Sequence, residues 1–158
     1  MLSAGIASTL HAQSPEITGF ERAKTGQFEA LETSLGIWRT TAGKALINNS
    51  HAKTGKHCLQ LSGAAKTTVI LELAKPLTVA SYLSFSAERW TRRSPFSFRI
   101  DKNSGEGWEE LFDGDRIIRV GRSFLSQVKL PLHDAGIRKL RFACTSPPDT
   151  GILIDDLR

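Results

Sequence analysis

Three carboxylates stand where a strand pattern calls for apolar side chains. The last stretch, Gly151-Ile152-Leu153-Ile154-Asp155-Asp156-Leu157-Arg158, is an apolar and β-branched run interrupted by Asp155 and Asp156 before Leu157 resumes it. Near the other end, Glu21 follows directly on Phe20 in Gly19-Phe20-Glu21. A carboxylate drawn into a buried strand needs a counter-charge, and a hard cation shared by the first and last strands supplies one through oxygen ligands. Two solvated strand ends meet the same spacing.

Other residue types with chemical potential do not assemble into a catalytic pattern. Glu88, Asp101, Glu109 and Glu110 are acids, but adjacent residues on a strand face opposite ways, and nothing sets an acid and a base at glycosidase separation. His11, His51, His57 and His133 show no metal spacing, and no serine, cysteine or histidine falls in a nucleophile motif. Cys58 and Cys144 fit neither a metal site nor a dense disulfide framework; each alternates within a strand-like run, which leaves both a buried thiol and a mutual disulfide open. The chain is therefore not expected to be an enzyme.

The elements that must position these residues are short strands. Leu83, Phe85 and Ala87 alternate with Ser84, Ser86, Glu88 and Trp90, and Phe96, Phe98 and Ile100 alternate with Ser97, Arg99 and Asp101. Val69, Leu71 and Leu73 repeat the pattern against Ile70 and Glu72, and turn chemistry recurs between runs, as in Asp101-Lys102-Asn103-Ser104-Gly105 and Asp113-Gly114. Residues 28–35 fit a single helical turn ended by Gly36. Asn48-Asn49-Ser50 reads as a loop that also matches a glycosylation acceptor. Many short strands at near-regular spacing predict an all-β, two-sheet sandwich.

The 158 residues, 40% of them hydrophobic, suffice for one domain with a core of its own. Lysine and arginine number 21 against 16 acids, a net charge of +5 that favours anionic partners. The basic residues are scattered, without a basic helix or block, so nucleic acid is not an expected partner. No apolar run approaches the roughly 20 residues of a membrane-spanning helix. Residues 2–12 look like the last part of a secretory signal peptide without its basic start, or else a disordered tail; either reading places residues 1–15 outside a domain of residues 16–158, and the first makes the protein secreted or periplasmic.

The order of Gly19-Phe20-Glu21, Trp38, the loop Ser50-His51-Ala52-Lys53-Thr54-Gly55-Lys56 leading into Leu59-Gln60-Leu61, and the closing Ile154-Asp155-Asp156-Leu157 resembles the galactose-binding-like jelly roll of carbohydrate-binding modules, over nearly the whole chain from Gly19 to Arg158. Glu88-Arg89-Trp90, Pro95-Phe96, Arg141-Phe142 and Ser146-Pro147-Pro148 are similar to accessory N-terminal domains of secreted bacterial sialidase-like proteins. The resemblance implies an antiparallel jelly-roll sandwich that binds glycan without catalysis, beside a catalytic domain in the same parent chain. It also implies a structural calcium ion held by the Glu21 carboxylate, the carbonyls of Gly19 and Lys56, and Asp155, with Asp156 as the alternative.

Sugars dock their apolar C–H faces on exposed rings while polar groups fix orientation. Trp90 and Trp108 are the candidate rings, with Arg92, Arg93 and Arg99 around Trp90 as partners for an acidic glycan. Trp38 falls in a core position. A packed Trp90 covered by arginines is the other reading, and it makes the domain a structural spacer with no sugar ligand.

Overall fold

The computed structural model describes residues 19–63 and 66–158, so the leader-like segment 1–15 lies outside the described residues. Twelve strands follow in order. The first six are β1 (Gly26–Gln27), β2 (Ala30–Thr33), β3 (Gly36–Ala42), β4 (Lys44–Asn48), β5 (Cys58–Ser62) and β6 (Thr67–Leu73). They are followed by β7 (Ser81–Arg89), β8 (Ser97–Asn103), β9 (Glu109–Asp113), β10 (Ser126–Leu132), β11 (Lys139–Thr145) and β12 (Gly151–Asp155). The first sheet has the order β1-β4-β5-β12-β7-β10 and the second β2-β3-β6-β11-β8-β9. All strand pairs are antiparallel. The result is the all-β jelly-roll sandwich that the strand pattern and the resemblance predict.

Alternation decides which side chains reach the core between the sheets. Ser126, Val128, Leu130 and Leu132 point inward from β10 while Gln127, Lys129 and Pro131 stay exposed. Leu83, Phe85 and Ala87 of β7 face Phe98 and Ile100 of β8, and Phe85, Phe98 and Phe112 pack edge to face. Trp38 is wholly buried, its ring centroid 5.6 Å from Phe20 and 5.2 Å from Phe142, and its Nε1–H donates to Thr33 Oγ1 at 3.1 Å. The assignment of Trp38 to the core therefore holds.

One expectation is corrected and one open alternative is decided. Residues 30–33 form β2, which pairs with β3 in the register Leu31 to Trp38 and Glu32 to Ile37, in place of a helical turn; pairing beside the buried tryptophan outweighs the helix-forming Glu-Ala-Leu-Glu composition. Cys58 lies on β5 of the first sheet and Cys144 on β11 of the second, and both are free. Cys58 points away from the sandwich core and Cys144 into it. Burial pushes each thiol up to about 12, so both stay protonated and inert at neutral pH.

Trp38→Ala removes the largest side chain of the core and leaves Phe20 and Phe142 facing a void. The expected loss is about 3–5 kcal/mol, read as a lowered urea midpoint with little change in slope.

Candidate functional site

The outer face of the first sheet is built in rows by the register of β12. Lys44 is opposite Ser62, and Ser62 is opposite Gly151. Because Ile152 pairs with Arg89, the next residue of the neighbouring strand line, Trp90, falls beside Gly151. Gly151 must lack a side chain: with φ at 148°, a Cβ there would lie 2.0 Å from the Leu61 carbonyl oxygen and 3.1 Å from the Trp90 ring. A second row runs Gln27, Leu46, Gln60, Leu153, Glu88. These rows line an open cleft of about 790 Å³ whose walls also include Asn48, His51, Arg122, Asp149 and Thr150.

Trp90 is half-buried, and its Nε1–H donates to the Asp149 carbonyl at 3.0 Å, which fixes the indole at the cleft wall. The floor beside it is an amide relay. Asn48 Oδ1 accepts the backbone N–H groups of Ser50 (2.7 Å) and His51 (3.1 Å), so its Nδ2 faces Gln60 and donates to Oε1 at 2.6 Å. Gln60 Nε2 then donates to Ser62 Oγ at 2.7 Å. The backbone donors leave only one orientation for each amide.

One flank of the face is closed. Cys58, Phe124 and Leu153 form a small apolar cluster outside the main core, with Ala52 and Trp90 packed against it. The Phe124 N–H donates to Glu88 Oε2 at 2.8 Å, and His51 stacks on the Phe124 ring at 5.3 Å. His51 Nε2 lies 3.0 Å from Glu88 Oε1 without the alignment of a hydrogen bond. Glu88 is thus a buried carboxylate beneath a loop, and the open part of the face is the side formed by β1, β4 and β5.

Glu21 and Asp155 converge on the loop of residues 53–57. Asp155 Oδ2 accepts the N–H groups of Lys53 (2.7 Å) and Thr54 (3.1 Å), and Oδ1 that of Asp156 (2.8 Å). Glu21 accepts the N–H groups of Lys56 and His57, each at 3.0 Å, in a cradle that a Cβ on Gly55 would fill. Asp155 is fully buried, and its carboxyl is pushed up to about 6 by burial, against the pull of the Thr54, Asp156 and Lys53 N–H groups. Glu21 Oε1 and Asp155 Oδ1 lie 3.6 and 3.7 Å from the point where a Gly19 Cβ would stand. Gly19, Glu21, Lys56 and Asp155 are therefore brought together, with Lys56 meeting Glu21 through its N–H. A pair of carboxylates, one deeply buried and with no cationic side chain against it among the described residues, offers oxygen donors of the type a hard divalent cation takes. No cluster of three or more histidine, cysteine or acidic side chains able to hold a metal occurs among the described residues.

The candidate sugar-binding residues do not share one surface. Trp90 is on the outer face of the first sheet; Arg92 is exposed just beyond it, and Arg93 Nη1 donates to the Pro148 carbonyl at 3.4 Å. Arg99 belongs to β8 in the second sheet, where it is ion-paired with Glu110 (3.3 Å), Asp113 (2.7 Å) and Asp115 (2.5 Å). Trp108 sits just before β9 of that sheet under the Arg141 guanidinium, 4.5 Å from the ring centroid, and Arg141 is paired with Asp101 at 2.8 Å. Glu109 pairs with Lys102 at 3.3 Å. Lys44, Asn48, Gln60, Ser62 and Arg122 are among the cleft residues that sequence reasoning did not assign to a binding site. The signal for the first four was the alternation of polar residues along β4 and β5; Arg122 carried none.

No protein-family model and no curated protein matches the sequence. Among solved structures, the chain is similar to TmCBM61 in complex with beta-1,4-galactotriose, with a TM-score of 0.52 at 13% identity over 76% of this chain and 85% of that one. It is also similar to a Family 16 Carbohydrate Binding Module-2, with a TM-score of 0.54 at 8% identity over 72% and 83%. The fold is that of carbohydrate-binding modules. Gly151, beside the Trp90 ring, depends on its residue type. Gly151→Ala is expected to cost about 1–3 kcal/mol through backbone strain and contact with Leu61 and to displace Trp90, detected as a lowered melting temperature together with a changed near-UV tryptophan signal.

Proposed function

We propose that the chain is a non-catalytic carbohydrate-binding module of an exported glycan-active protein, and that it docks a glycan in the cleft on the outer face of the first sheet. The observation that carries this reading is Trp90: a half-buried indole locked by Asp149, beside the side-chain-free Gly151 and a floor of amide and hydroxyl groups. A ring fixed in this way binds an apolar sugar face without loss of its own freedom. The shared fold with carbohydrate-binding modules supports the same reading. The parent's catalytic partner is taken to be a sialidase-like domain, and acidic glycans are the ligand class favoured by the charge of +5. The spacer reading has one observation behind it, the packing of Trp90 against the Cys58, Phe124 and Leu153 cluster.

Trp90→Ala separates the two. It is expected to retain a cooperative melt and to lose retention on every glycan that the wild type binds in affinity electrophoresis or on an array, while Arg99→Ala, on the opposite sheet, leaves retention unchanged. A Trp90→Ala protein that unfolds, beside a wild type that retains no glycan, favours the spacer.

Calcium belongs to the same proposal. Glu21 and Asp155 would hold it, with main-chain carbonyls of Gly19 and Lys56 completing the set; the ion would neutralise the buried Asp155 carboxylate and tie the first and last segments together. At 100 times its dissociation constant, such a ligand stabilises by about 2.7 kcal/mol. Calcium is expected to raise the melting temperature of metal-free protein, chelator to reverse the rise, and Asp155→Ala to abolish the response. An identical melt with and without calcium overturns the assignment.

A further inference from the structure

The two ends of the cleft differ in chemistry. At the β4 and β5 end, Asn48 Oδ1 is filled by two backbone N–H groups, while Gln60 Oε1 and Ser62 Oγ each accept one bond, from Asn48 and from Gln60, and keep one lone pair. The donor hydrogens left there are one on Asn48 Nδ2, one on Gln60 Nε2, the Ser62 hydroxyl proton and those of the Lys44 ammonium, so donors outnumber the free lone pairs. Lys44 is exposed, and its side chain has no acidic partner among the described residues. The carboxylates of the cleft wall lie elsewhere: Glu88 is buried under His51 and Phe124, and Asp149 is on the Trp90 side.

Distance separates the two ends further. Lys44 and Trp90 terminate one row across β4, β5, β12 and β7, three strand spacings or about 14 Å apart at the backbone. That is room for more than one pyranose ring, with the small Ser62 and Gly151 between the ends. A neutral sugar hydroxyl can accept from these donors and donate to the free lone pairs, but it leaves the Lys44 charge without a counter-charge. An anionic oxygen group accepts only, and charge-assisted bonds to it are the strong ones.

We infer that the Lys44 end, with Gln60 and Ser62, takes an acceptor-only anionic group of a glycan, a carboxylate or a sulfate ester, on a sugar unit other than the one stacked on Trp90. This rests on the carbohydrate-binding reading and locates the acidic preference at Lys44, away from Arg92, Arg93 and Arg99.

The test is an array of matched pairs. Uronic-acid, sialic-acid and sulfated oligosaccharides are printed beside twins whose carboxyls have been reduced or whose sulfates have been removed. The expected result is that at least one acidic member binds about tenfold or more tightly than its twin, with the carboxylated and sulfated pairs identifying the anion. Lys44→Gln, similar in length and neutral, should bring that member down to the level of its twin, Lys44→Arg should keep most of the difference, and Trp90→Ala should remove both. Melting curves check that each variant is folded. Equal binding of acid and twin, or a preference that survives Lys44→Gln, overturns the inference and leaves carbohydrate binding standing. Retention of no glycan at all overturns both.

Discussion

Strand Gly151–Asp155 is hydrogen-bonded on both edges, to β5 and to β7, and all five of its residues are buried. Its register sets the rest of the first sheet. Because side chains alternate with a period of two, a slip of one residue would send Ile152 and Ile154 out of the core and Leu153 into it. The same register puts Gly151 beside Trp90, Leu153 between Gln60 and Glu88, and Asp155 under the loop of residues 53–57. Core, cleft and carboxylate site are thus three readings of one strand pairing.

Much of the fold was legible in the residues themselves. The alternations in β7 and β8 name their buried faces correctly, and Trp38 is core as the position it holds in the resemblance implied. The carboxylates at the two chain ends also proved to lie together, since a buried acid in an apolar strand must find polar partners; those visible are backbone N–H groups of a loop.

The cleft was less legible, and the reason is topological. Trp90 and Arg99 are nine positions apart, yet the chain crosses from one sheet to the other between β7 and β8. Adjacent strands in sequence therefore present their outer faces on opposite sides of the sandwich. Arg99 then meets two acids of β9 and Asp115 in the turn that follows, and Trp108 is covered by Arg141. Trp90 instead sits beside Gly151 of β12 and shares its cleft with residues of β4 and β5, which only the pairing through β12 reveals. Local pattern gives the face of a strand, and it does not give the partner.

The central strand also bears on how fast the sheet can form. Asp155 is bonded to backbone groups 101 and 102 residues away, and no local hairpin partner flanks β12 in its sheet. The strand that holds the middle of the first sheet is therefore assembled only after very large loops have closed, a search whose entropy is spent before the pairing returns any enthalpy. A chain wired in this way folds on the slow side for its size. Until β12 docks, β5 and β7 are left with unpaired backbone along their long edges, the state in which a β-sandwich is most open to association with its own copies.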